Sequence, residues 1–166
     1  MSATPWVARP PEQARLLNPA FVGATIWSCA RGYASVREPG LPYALAFVAV
    51  PIALHKATRE ELPRWTRTSM ASWLAENPPA LVGFAERALA LVPVVKEGIL
   101  FGSSGQMLTL DNALLVAADR PRSMARFERE ATDEVKACIK KAEFVGKWFA
   151  GSGDLATIMA LWGVAP

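Results

Sequence analysis

Residues Leu41 to Leu54 read LPYALAFVAVPIAL, a run of apolar residues and prolines without one charge. A segment apolar on every side must be covered on most of them. Its 14 residues, interrupted by Pro42 and Pro51, fall short of the roughly 20 needed to cross a bilayer. The remaining elements must therefore wrap around it. Its alanine content favours helix over strand, and no association with a membrane is expected.

The 166 residues have the length of one domain, enough to bury roughly 70% of the unfolded surface without staples. Cys29 and Cys138 are far apart and neither lies in a C-x-x-C pair, so a disulfide framework is excluded and a reduced, cytoplasmic setting fits. The opening MSATPWVARPPEQ lacks the basic and then apolar regions of a signal peptide.

Residues 1–11 hold three prolines and read as an extended arm whose Trp6 can meet the body or another chain. Residues 12–166 read as a single, mainly helical domain. A helix is expected over 12–36, with Asn18-Pro19 as an alternative start (Asn18 capping, Pro19 in the first turn). Thr58-Arg-Glu-Glu61 has capping-box spacing and predicts a short helix from Thr58. Residues 66–76 predict a second, with Met70, Trp73 and Leu74 on one side.

Asn77-Pro78-Pro79 predicts a cap and first turn for a long helix. Its inward stripe would be Leu81, Ala85, Ala88, Val92, Val95 and Ile99, with Pro93 kinking or breaking it near Leu89–Ala90. Gln106–Leu110 and Ala113–Ala117, separated by Asp111-Asn112, predict a β-hairpin. Residues 118–130 read as a charged connection. Residues 131–149 read as a helix with Val135, Ile139, Ala142 and Phe144 inward, and Asp154 as the cap of a last short helix ending at Trp162. The fold class is thus mainly α (α+β), a helical domain with a small hairpin. The order short helix, turn, longer helix, hairpin over 66–117 gives a winged-helix-like unit.

The chemistry available is sparse. His55 is the only histidine, and no sequence feature supplies it with a nucleophile and an orienting carboxylate. It reads as a capping or hydrogen-bonding residue, so no catalytic residue is assigned and an enzyme is not expected. Three Cys and His residues in all are too few for a structural zinc site. Gly102-Ser-Ser-Gly105 lacks the lysine of a phosphate-binding loop. No cofactor-binding or metal-binding residue is assigned.

Binding is better equipped. Hydrophobic residues make up 52% of the chain, with six tryptophans and a net charge of +3. Trp27 and Trp73 read as core, whereas Trp6, Trp65, Trp73, Trp148 and Trp162 together exceed what one small core usually holds, and aromatics favour interface anchors. Two basic groups stand out. Lys56, Arg59, Arg64 and Arg67 interleave with Trp65, and Arg120, Arg122, Arg126 and Arg129 precede Lys136, Lys140 and Lys141. Neighbouring carboxylates dilute both, so internal or solvated charge pairs come first, a protein interface second and nucleic acid third. The candidate contacts with a partner or nucleic acid are Trp6, Trp65, Arg64, Arg67, Arg122, Arg126, Lys140 and Lys141. The Leu81–Ile99 stripe offers only Arg87 and Lys96 as cations, poor equipment for a DNA-recognition helix.

Four segments carry a family resemblance: LLNPAF at 16–21, LAFVAVPIALHKATREELPRWTRTSMASWL at 45–74, LVGFAERALALVPVVKEGILFG at 81–102 and GKWFAGSGDLATIMALWGVAP at 146–166. Together they resemble the middle component of bacterial three-component ABC systems, related to the Lamassu antiphage defence systems. The resemblance implies an accessory subunit beside an SMC-like ABC ATPase and an effector, often a nuclease, with DNA met through the complex. It supplies no catalytic motif, and no effector domain is expected after LWGVAP. A winged-helix DNA-binding regulator is the rival reading.

Overall fold

The computed structural model describes residues 17–165. The expected arm 1–11, with Trp6, lies outside the described residues. Eight α-helices and a small sheet follow in the order α1 (Pro19–Ala34), β1 (Leu41–Pro42), α2 (Ala46–Leu54), α3 (Lys56–Glu61), α4 (Met70–Glu76), α5 (Phe84–Ser104), β2 (Leu108–Asp111), β3 (Leu114–Ala117), α6 (Arg122–Glu130), α7 (Asp133–Gly151) and α8 (Leu155–Leu161). The chain is mainly helical with a minor β part, as its patterning predicts.

Helix α1 starts where Asn18 caps it: the Asn18 Oδ1 accepts from the Ala20 N–H at 2.8 Å. It is the hub, packed against α7, α5 and α2 and against β3. Small residues allow the approach. A side chain at Gly146 of α7 would strike the Cys29 carbonyl of α1, and one at Gly32 would strike the Glu143 carbonyl of α7. On the other flank a Cβ at Gly98 of α5 would run into the Val22 side chain.

The Leu41–Leu54 run is buried as its apolarity requires, but not as one helix. Leu41–Pro42 form a strand, Tyr43–Leu45 a single 3-10 turn, and only Ala46–Leu54 an α-helix. Leu41 and Pro42 pair with Leu115 and Leu114, giving a three-stranded antiparallel sheet of order β1-β3-β2. The hairpin over 106–117 thus takes its third strand from outside 66–117. Its turn is shifted by one residue: Asn112 (φ 46°) and Ala113 (φ 60°) are both left-handed, as a two-residue type I′ loop demands.

Several expected boundaries move. His55, not Thr58, caps α3: its Nδ1 lies 2.8 Å from the Thr58 hydroxyl and accepts the Thr58 N–H at 3.3 Å. Helix α4 begins at Met70 behind the Ser69 cap, leaving Arg64–Arg67 in a loop. Asn77 does not cap the long helix; its Nδ2 donates back to the Trp73 carbonyl at 2.8 Å. Pro78–Leu81 form a 3-10 turn, and α5 starts only after Gly83, whose φ of 63° suits glycine. Pro93 does not break α5, because it and Leu89, whose carbonyl it leaves free, both lie on the solvent side. The buried side of α5 is Phe84, Ala88, Val94, Val95, Gly98, Ile99 and Gly102, so Leu81 and Ala85 of the expected stripe are exposed. Residues Arg122–Glu130, expected as a connection, form α6 with Met124 buried.

The tryptophan surplus is mostly core. Trp27, Trp73, Trp148 and Trp162 are all buried. Trp73 meets Trp148 edge to face with ring centres 5.4 Å apart, and Phe84 lies 4.6 Å from Trp162. Trp148 and Trp162 therefore leave the set of interface anchors, and Trp65 alone of the described tryptophans is exposed.

Candidate interaction surfaces

Among the described residues, two solvent-facing surfaces stand out once the core is assigned. The first is the outer side of α5. Leu89 and Leu100 are 74% and 68% exposed, and Ala85, Ala90, Pro93 and Phe101 share that side with the charged Glu86, Lys96 and half-buried Glu97. Val82 before the helix and Leu110 on the following hairpin are exposed too. Large aliphatic side chains gathered on one helix face are the unusual feature here, since single exposed ones are common.

Sequence reasoning misses this surface because it follows a single stripe. Leu89 and Leu100 lie roughly 100–120° round the helix from positions 88, 95 and 99, and with Pro93 they form a second apolar stripe beside the first. That second stripe is the signal in the sequence.

The second surface is a groove of about 430 Å³ between the loop after α3 and the outer side of α7. Pro63, Arg64, Trp65 and Thr66 form one wall, and Lys140, Lys141, Glu143, Phe144 and Lys147 the other. The loop is held at its far end by the buried Trp148, whose Nε1 donates to the Thr68 carbonyl at 2.7 Å. Its near end is anchored by the buried Leu62. Trp65 stays 54% exposed, with the Arg64 and Arg67 guanidinium groups 5.2 and 5.4 Å from its ring centre. Lys141 stands 5.6 Å from the Phe144 ring.

Five of the eight sequence-predicted contacts, Arg64, Trp65, Arg67, Lys140 and Lys141, thus come together from segments about 75 residues apart. Arg122 and Arg126 do not join them. They sit on α6, where Arg126 pairs with Glu130 at 3.0 Å. Arg59 and Lys56 of the first basic group are engaged elsewhere. Lys56 pairs with Glu60, while the buried Arg59 donates to the Ala53 and Leu54 carbonyls at 2.9 and 3.3 Å and pairs with Glu134.

The remaining concave places carry less chemistry. One, about 580 Å³, is lined mainly by apolar side chains beside the engaged Arg59–Glu134 pair. His55 borders a smaller one of about 380 Å³ with Glu61 and Glu76. Its Nδ1 is engaged by the buried Thr58. Burial, then the positive charges of Arg87 and Arg59, hold the His55 pKa below its ordinary 6.5. Burial pushes the Cys29 thiol up to about 12, which removes it as a nucleophile near neutral pH. Among the described residues no three Cys, His, Asp or Glu side chains are grouped to hold a metal ion, and no helix is long and apolar enough to cross a membrane.

No curated protein and no solved structure matches the chain. A family model does match, over residues 6–166, which spans α1 to α8 and both surfaces. Because the match covers nearly the whole sequence, the chain belongs to the Middle Component 3 family of ABC-three component (ABC-3C) systems, as an accessory component of a multi-component system.

Proposed function

We propose that this protein is a non-enzymatic adaptor of the cytoplasm, linking an SMC-like ABC ATPase to an effector, often a nuclease, in a Lamassu-related antiphage defence complex. The observation that carries this reading is the outer face of α5. A fold with a filled core still leaves Leu89, Leu100 and Phe101 in water. Burying such side chains in a partner's pocket contributes about 1.5–3 kcal/mol each, and central apolar anchors dominate interface energetics. The ATPase subunit is assigned to this face.

The test is co-purification with the ATPase subunit of the same system. Wild type is expected to associate at micromolar concentration or tighter, and Leu89→Glu with Leu100→Glu to weaken association by about a hundredfold or more. Failure of the wild-type chain to associate at micromolar concentration overturns the reading. A regulator that reads duplex DNA through α5 draws little support: that helix offers solvent Leu89, Pro93 and Leu100, and the Arg87 guanidinium donates to the Val82 carbonyl at 2.7 Å.

A further inference from the structure

We infer that the groove between Arg64–Arg67 and α7 binds single-stranded nucleic acid, stacking a base on Trp65 and setting phosphates against Arg64, Lys140 and Lys141. This goes beyond the adaptor reading and uses a different surface.

Two observations select the ligand. The first is charge. Glu143 is the one carboxylate lining the groove, and it is taken by Lys147 at 2.7 Å. Arg64, Arg67, Lys140 and Lys141 form no ion pair with another described residue. Four cations without carboxylates attract an anion, and their spread along a groove suits a chain of anions. The second is the aromatic surface. An indole more than half exposed, with the Arg64 and Arg67 guanidinium groups over its ring, offers an aromatic surface on which a base can stack when an arginine turns from the ring to a phosphate. A simple polyanion would make no use of it.

Shape decides between strand types. A groove of about 430 Å³ is in the range of small-ligand sites, roughly 300–1,000 Å³. The exposed indole beside it can take an unstacked base, which a duplex, with its bases already stacked on each other, does not offer. Single-strand binders combine a basic groove with such stacking platforms. Trp65 is also held in place before any ligand arrives, because Leu62 and the Trp148–Thr68 bond fix the loop on either side. Little ordering cost is then left for binding.

The probe is a fluorescently labelled 16-nucleotide oligo-dT, titrated with the full 166-residue chain at 20 mM salt and followed by anisotropy. Stacking on Trp65 should also quench the tryptophan emission, since the other described tryptophans are buried. Trp65→Ala is expected to weaken binding about five- to a hundredfold, and Trp65→Phe to restore most of it. Lys140→Gln with Lys141→Gln should flatten the salt dependence by about 1.4 in the log–log slope. Thermal unfolding of each variant checks that the fold persists, as expected for exposed positions. Leu89→Glu with Leu100→Glu should leave oligonucleotide binding unchanged, so failure here and failure of the adaptor reading remain distinguishable.

Three results overturn the inference. The first is a wild type that does not bind the oligonucleotide even at 20 mM salt. The second is binding that the lysine variants weaken while Trp65→Ala leaves it intact, which makes the groove a plain anion patch. The third is groove variants that abolish co-purification with the ATPase subunit with no oligonucleotide binding to lose, which makes it a protein interface.

Discussion

Helices α1 and α5 are similar in apolar character and opposite in circumstance. Eleven of the sixteen residues of α1 are buried, but only seven of the twenty-one of α5. The difference lies in what surrounds them. Helix α1 has α7 on one flank, α5 on another, and α2 and β3 on the rest. Helix α5 leans on α1 and α2 along one side and shows Leu89 and Leu100 to water on the other. Apolar composition states that a helix needs covering; only the fold states how much of that cover the chain supplies itself.

The sharpest way to break this comparison is to pry α1 from α7. Gly146→Val would drive a side chain into the Cys29 carbonyl, and neither backbone can yield without separating two helices. A loss of about 4 kcal/mol or more is expected, a large share of the roughly 5–15 kcal/mol that keeps a domain folded. Ile26→Glu, an unpaired charge at a fully buried position of α1, should do the same. Urea or thermal unfolding reads both, and a stable folded variant would mean that α1 is not the hub.

Much of this was legible in advance. Asn18-Pro19 marks the start of α1, and the hairpin position follows from two apolar runs around an Asx turn. Helix α6 was not, because RSMARFERE is charged on most sides and reads as a linker. Its Arg126–Glu130 pair, four residues apart, was the available helical signal. The start of α5 was misread since Asn77-Pro78-Pro79 satisfies every local rule for a cap, while the deciding residue is Gly83 with its positive φ. The basic groove was half legible. Each wall can be read as a cluster of cations and aromatics, but their meeting depends on the bond from Trp148 to Thr68, which no local pattern announces. Which tryptophans are buried depends on packing between distant segments, and composition alone counts them as a surplus.

A middle-sized effect separates two of those tryptophans. Trp148 and Trp162 are both buried, but the Trp148 N–H has a carbonyl partner and the Trp162 Nε1 has no hydrogen-bond partner among the described residues. Trp148→Phe should cost about 2 kcal/mol, part of it from the stranded Thr68 carbonyl. Trp162→Phe should cost about 1 kcal/mol or less, since it removes an unpaired donor. Equal losses in urea titrations would mean that the Thr68 bond does not hold the loop.

A smaller effect reports on the seam between α3 and the first turn of α5. The His55 pKa is lowered by burial, then by Arg87 and Arg59. Its neutral form accepts from the Thr58 N–H, and protonation of Nδ1 would end that. A base whose folded pKa lies below its unfolded 6.5 takes up its proton more readily when unfolded. Its stabilising contribution is therefore full above about pH 6.5 and declines as pH falls from there towards the folded pKa. His55→Asn, which keeps a cap acceptor, should remove that decline. Arg87→Gln should raise the His55 pKa measured by NMR; an unchanged value would mean that α5 does not begin beside α3.

The smallest expected change in stability decides most about α5. Leu89→Glu with Leu100→Glu places two charges on a helix at positions already in water, so folding should shift by no more than about 0.5 kcal/mol per site. The same substitution at the fully buried Ile26 of α1 is expected to cost about 4 kcal/mol or more, and that contrast is the comparison in its plainest form. If the α5 variant instead unfolds, something in the isolated chain covers that face, and the case for a partner there disappears. If it stays folded and loses the ATPase subunit, the apolar side of α5 is kept for assembly rather than for folding.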